Sequence, residues 1–162
     1  MAMLATAAVS SAGWAGARLK AGDTAPHYVV RTFDKQVIDS SELAGQVVIV
    51  NRWAVWCGPC KEELPTLDAY YRAHAKDGLR IFAVTVDQTV PDYGLRRLSS
   101  ALAFPLAHAV KGPFPDSDAV PTSYVIDRHG VVRLVQVGAF TAQSLDATIG
   151  PLLAESAAAP GH

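Results

Sequence analysis

The chain has 162 residues, with 14 Lys plus Arg against 15 Asp plus Glu and a formal net charge of −1. That balance gives no electrostatic case for nucleic acid or an acidic membrane surface as a partner. An apolar half and a charged fraction of only 18% exclude intrinsic disorder, and two cysteines exclude a disulfide-stapled mini-protein or a four-thiolate zinc site.

Residues 1–17 are small and apolar and carry no charge. They fall short of the roughly 20 apolar residues a membrane-spanning helix needs. Their Ala15-Gly16-Ala17 ending matches the cleavage end of an export signal, although the positive start of such a signal is missing. Residues 1–20 are therefore read as an export-signal remnant or a flexible extension, residues 21–154 as one domain and residues 155–162 as a flexible tail. After a turn-rich Ala21–Pro26, residues His27–Phe33 and Gln36–Ile38 read as a hairpin around Asp34-Lys35. Ser41–Gly45 suits a single helical turn. Val47–Val50 is a β-branched run of the kind buried on both faces of a parallel sheet.

A helix is expected from Pro59 to about Lys76, stopped at Asp77-Gly78 and bent or ended early by Pro65. Leu79–Val86 reads as a second buried strand. Pro91–Ala101 reads as a helix with Leu95, Leu98 and Leu102 on its buried stripe. Lys111–Val120 reads as a loop. Ser123–Ile126 and Val131–Val137 form a hairpin across Asp127–Gly130, and a last helix spans Thr141–Leu153 with a kink or break at Gly150-Pro151. Strands alternating with helices, then a hairpin and a closing helix, indicate an α/β domain with a mixed sheet covered on both faces.

The chemistry lies in Asn51-Arg52-Trp53-Ala54-Val55-Trp56-Cys57-Gly58-Pro59-Cys60, between a buried strand and a helix start. Unpaired N–H groups and the helix dipole stabilise an anion there, so a thiol at that point is acidified and its thiolate is a nucleophile. Gly58-Pro59 fits the first turn, because Pro has no N–H to leave unsatisfied. Cys57 is expected at an exposed tip and Cys60 one turn inward. Cys57 would attack a partner disulfide and Cys60 would resolve the mixed disulfide. Haem attachment needs a His after the second Cys, where Lys61 stands.

Trp56-Cys57-Gly58-Pro59-Cys60 resembles the thioredoxin active site. The longer run NRWAVWCGPCKEELPTL, with Glu63 and Pro65 after the cysteines, resembles the exported thioredoxin-like proteins of the TlpA/ResA type. Val120-Pro121-Thr122-Ser123-Tyr124-Val125-Ile126-Asp127 is similar to the second signature of that family. The resemblance spans roughly Gly22 to Leu153. It implies a thioredoxin fold: a central mixed β-sheet flanked by helices on both faces, with an N-terminal β-hairpin extension.

The same resemblance implies that Pro121 is cis and packs against the two cysteines, and that the backbone of Val120 pairs with a partner polypeptide. It implies that Glu63, if buried, takes a proton from Cys60 during resolution. Its alternative is a solvated carboxylate that favours the helix dipole. Asn51 stands where cytosolic thioredoxins carry a buried Asp, and it cannot titrate. Trp56 would flank the site, while Trp53 belongs to the core. Two features depart from the family: Arg52, which faces solvent or pairs with an unidentified acid, and the loop Pro115–Asp118.

The function these readings imply is a thiol–disulfide oxidoreductase acting as a reductant of protein disulfides in the periplasm or cell envelope, with apocytochrome c thiols among its possible substrates. Re-reduction would need a membrane thiol electron donor. No cofactor or metal is called for, and a monomer is expected, touching the membrane only through its N-terminus. The alternatives are a disulfide-forming oxidant and a dithiol copper carrier. A peroxidase is disfavoured by Ala54, which stands where that chemistry needs a hydroxyl.

Overall fold

Two runs of buried apolar residues organise the molecule. In the computed structural model, which describes residues 18–87, 89–114 and 119–156, they form the adjacent parallel strands Val47–Trp53 and Leu79–Thr85. The segment read as an export-signal remnant lies largely outside the described residues, as do Pro115–Asp118 and residues 157–162 of the tail.

In chain order the strands are β1 (Val29–Thr32), β2 (Val37–Asp39), β3 (Val47–Trp53), β4 (Leu79–Thr85), β5 (Leu106–Lys111), β6 (Thr122–Ile126) and β7 (Val132–Val137). The α-helices are α1 (Gly58–His74), α2 (Asp92–Ala101) and α3 (Ala142–Ala154). The strands make one mixed sheet of seven in the order β2-β1-β5-β4-β3-β6-β7. β3, β4 and β5 run parallel, and β6 and β7 continue antiparallel from β3. The expected N-terminal hairpin, β1 and β2, extends the sheet beyond β5.

The path β3–α1–β4–α2–β5 advances twice in the same direction across the sheet. Right-handed crossovers then place α1 and α2 on one face. Leu64 and Leu67 of α1, Leu95 of α2, and Leu145 and Ile149 of α3 all join Ile49, Trp53, Ile81 and Ala83 in one core. Val48, Val50, Phe82 and Val84, on the alternate positions of the same strands, face a second core. That core is closed by Leu19, Tyr28, Phe114 and Leu43 of a 3-10 turn, Ser40–Leu43. Among the described residues the helical cover is therefore unequal: three α-helices on one face, and on the other a single short turn and the lead-in segment.

Four local expectations change. β5 occupies a stretch in which no strand was read, and it includes Lys111. Its Leu-Ala-His-Ala-Val-Lys sequence lacks a β-branched run, and the strand is held by its neighbours β4 and β1. β3 continues through Asn51-Arg52-Trp53. Helix α1 passes Pro65, and α3 passes Pro151, without a break. Both prolines are on exposed faces, where the carbonyls of Lys61 and Ala147 that lose an N–H partner can meet water.

Candidate active site

β3 ends at Trp53 and α1 begins at Gly58, so the chain crosses from sheet to helix through residues 54–57. Cys57 is the N-cap of the 17-residue α1, and its Sγ accepts the N–H of Cys60 at 3.2 Å. That contact is the N-cap bond usually made by Ser or Asp. Pro59 lies in the first turn, as the sequence predicts. The two sulfurs are joined in a disulfide, with Cys60 fully buried beneath it.

Cys57 is only 5% exposed, so it is not the open tip expected. The reason is the segment opposite. The Val120–Pro121 bond is cis, as the resemblance implied, and the Val120 carbonyl oxygen lies 3.6 Å from the Cys57 Sγ. Pro121 is buried and opens β6 directly after this contact. Around the sulfur, Gly58 and Pro59 are exposed and Trp56 is 67% exposed, while Trp53 belongs to the core. A reacting partner therefore meets an apolar rim with one sulfur set into it. Tyr93 at the start of α2 and Val137 at the end of β7 are exposed apolar side chains at the same end of the sheet. No pattern in the sequence marks either of them.

Glu63, one turn after Cys60, is 1% exposed, so it is not a solvated carboxylate. Its Oε1 accepts the Phe140 N–H at 2.7 Å and its Oε2 accepts Asn51 Nδ2 at 3.0 Å. Burial raises its pKa, and the two N–H donors oppose the rise without cancelling it. Asn51 Nδ2 also donates to Ser123 Oγ at 2.9 Å, across the β3–β6 pair in which the two residues lie opposite each other. Neither Ser123 nor Phe140 was singled out from the sequence. Phe140 acts through its backbone, which leaves no side-chain signature, and Ser123 is a small residue inside an apolar strand.

Arg52 is 3% exposed, which removes the solvent-facing alternative. It shares the sheet face of Val48 and Val50. Burial raises the pKa of nearby Tyr124, and the positive charges of Arg52 and Arg18 act against that rise. The histidines take other work: His27 contacts Asp39, His74 contacts Asp77, and His108 stacks on Phe33. No group of three or more potential metal ligands occurs among the described residues.

Comparison with known proteins places this arrangement. Residues 21–135 match the AhpC/TSA family. The chain is 31% identical over 141 residues to the thiol–disulfide oxidoreductase ResA of Oceanobacillus iheyensis, covering 78% of this chain and 70% of that protein. It is 27% identical over 133 residues to the thioredoxin-like protein YneN of Bacillus subtilis, covering 79% and 78%. The crystal structure of a thiol:disulfide interchange protein of the thioredoxin family from Chlorobium tepidum superposes with a TM-score of 0.72 at 26% identity, covering 86% of this chain and 99% of that one. With a cysteine pair at a helix start, a cis-proline beside it and relatives of this kind, the chain belongs to the AhpC/TSA family, as a thioredoxin-like thiol–disulfide oxidoreductase of the ResA type.

Proposed function

We propose that the protein reduces disulfides of partner proteins in the cell envelope, and that Cys57 is the attacking sulfur. The observation that carries this reading is Cys57 at the N-cap of α1, with the Cys60 N–H aimed at its Sγ. In the reduced protein that N–H and the helix dipole favour a thiolate at Cys57. The thiolate attacks a partner disulfide, one partner sulfur leaves as a thiolate and takes a proton from water, and a Cys57–partner disulfide remains. Cys60 gives its proton to Glu63, attacks the Cys57 Sγ and expels the second partner sulfur, which picks up a proton. The partner is reduced by two electrons and Cys57–Cys60 is oxidised to the disulfide.

The resemblance of Gly58-Pro59 to the reducing thioredoxins supports the direction. The resemblance to the exported proteins of the TlpA/ResA type supports the envelope setting, in which a membrane thiol donor would restore the dithiol. Apocytochrome c, whose thiols must be reduced before haem attachment, is one such partner. Trp56, Val120 and Pro121 would form the surface against which the partner chain lies.

Insulin reduction with dithiothreitol tests the reading. The wild type should accelerate it, Cys57→Ser should lose the activity entirely, and Cys60→Ser should accumulate a mixed disulfide. A redox titration should fall near the thioredoxin value of about −270 mV; a value near about −120 mV would make the protein an oxidant instead. Stoichiometric Cu(I) binding with little turnover would mark a copper carrier.

A further inference from the structure

The polar network behind the cysteines holds one atom with nothing to bind. Asn51 is fully buried; both N–H groups of its amide are used, while its Oδ1 is buried without a hydrogen-bond partner among the described residues. A buried acceptor left unmade costs free energy, so its retention calls for an explanation.

The network has the elements of a reversible device. Glu63 Oε1 faces the Phe140 N–H, a backbone donor that cannot turn over. Glu63 Oε2 faces Asn51 Nδ2, and the same nitrogen faces the hydroxyl of Ser123. A carboxylate needs both N–H donors. Once a proton is on Oε2, an amide turned through a half-rotation would present Oδ1 instead. Oδ1 could then accept the Glu63 O–H and the Ser123 O–H, because a hydroxyl both donates and accepts. Each state contains three hydrogen bonds, and each leaves one group of the amide unpaired. Bond count favours neither.

We propose that Asn51, backed by Ser123, is the positioning residue of proton transfer: it holds the Glu63 carboxylate one turn from Cys60 and reverses its amide when Glu63 takes the proton. Because Asn51 cannot titrate, it does not compete for that proton. The inference rests on the reading of Glu63 as the acceptor and deepens it. The groups facing the carboxylate are Asn51 from β3 and the Phe140 N–H from the segment before α3, with Ser123 of β6 behind Asn51. The charged neighbours Lys61 and Glu62 on α1 are exposed, and burial, Phe140 and Asn51 are the causes that act on Glu63.

The experiment follows the Glu63 carboxyl carbon by NMR in the disulfide form, where no thiol titrates, for wild type, Asn51→Leu and Ser123→Ala. Asn51→Leu loses a bond to Glu63 in both states, but the bond to the charged carboxylate is the stronger, so the Glu63 midpoint should move upward by about one pH unit. Ser123→Ala loosens the placement of Asn51 and so weakens the stronger, charged bond more; it should move the midpoint the same way by less, and should still fold if Asn51→Leu does not. In the wild type the Asn51 side-chain amide resonances should shift at the same midpoint as Glu63. An unmoved Glu63 midpoint in both variants, or amide resonances indifferent to it, overturns the inference.

A second arm measures resolution in the reduced protein, as stopped-flow release of the second thionitrobenzoate after reaction with the aromatic disulfide reagent. Its pH midpoint should move with the NMR midpoint. If the NMR midpoint moves and the kinetic one does not, the positioning by Asn51 stands and the acceptor role of Glu63 falls.

Discussion

Glu63 is under opposing demands: burial favours its neutral form, while two N–H donors favour its charged form. Burial prevails, and the consequence can be measured. Between the ordinary glutamate value of 4.5 and the raised value in the folded protein, the native state holds more protons than the unfolded chain. Stability is therefore fully present below the ordinary value and is lost as pH rises through the folded one. Denaturant midpoints of the disulfide form, taken across that window, should fall with rising pH in the wild type. Glu63→Gln should flatten the trend, and a slope kept by that variant would assign it to another group. Asp39 behaves oppositely: the Ser41 N–H and hydroxyl, together with His27, lower its pKa to about 2, so it remains charged throughout.

The place of Glu63 was legible in the sequence: an acid one turn after the second cysteine of a helix-start pair. Its partners were not. Asn51 is 12 positions away and Phe140 is 77. No periodicity connects residues at those separations.

At the level of elements, helix ends were easier to read than helix interiors. Thr141 caps α3 by accepting the Ser144 N–H at 3.1 Å, while Ser144 Oγ accepts the Thr141 N–H at 2.9 Å. The cap matters because Phe140, immediately before it, supplies the donor to Glu63. Thr141→Ala should cost about 1 kcal/mol in chemical denaturation, without loss of the disulfide chemistry. A cost near zero would mean that packing of Leu145 and Ile149 alone positions the helix start. Local rules make Pro65 and Pro151 helix breakers. Tertiary packing of the buried faces around Leu64, Leu67, Leu145 and Ile149 overrides them.

Across the whole molecule, Arg128 ties together segments far apart in the chain. Its Nη1 donates to the Gly45 carbonyl at 2.8 Å, and its Nη2 donates to those of Asp77 at 2.8 Å and Leu153 at 2.9 Å. These carbonyls stand before β3, at the end of the 3-10 turn Ala75–Asp77 that follows α1, and near the end of α3. Gly78 makes room for the arrangement: its φ is +90°, and an added Cβ would meet Arg128 Nη1 at 2.8 Å. Arg128→Ala should lower stability by about 2–3 kcal/mol, because partly buried carbonyls lose a charged donor. Arg128→Lys should recover only part, since one ammonium lacks the fork geometry to reach all three. Equal stability of Arg128→Lys and wild type would overturn that account.

By itself, the sequence determined that the two cysteines lie at a strand–helix junction, because buried runs, a turn-compatible Gly-Pro and helical spacing are all local signals. It also indicated the mixed sheet and its N-terminal hairpin. Only the tertiary structure decided that Cys57 lies covered beneath the Val120 carbonyl, that Leu106–Lys111 is a strand, that Arg52 is buried and that Asn51 and Phe140 converge on Glu63. Each of these depends on which distant segments come to lie side by side, and that is set by closing the whole sheet and its two cores rather than by any short run of residues.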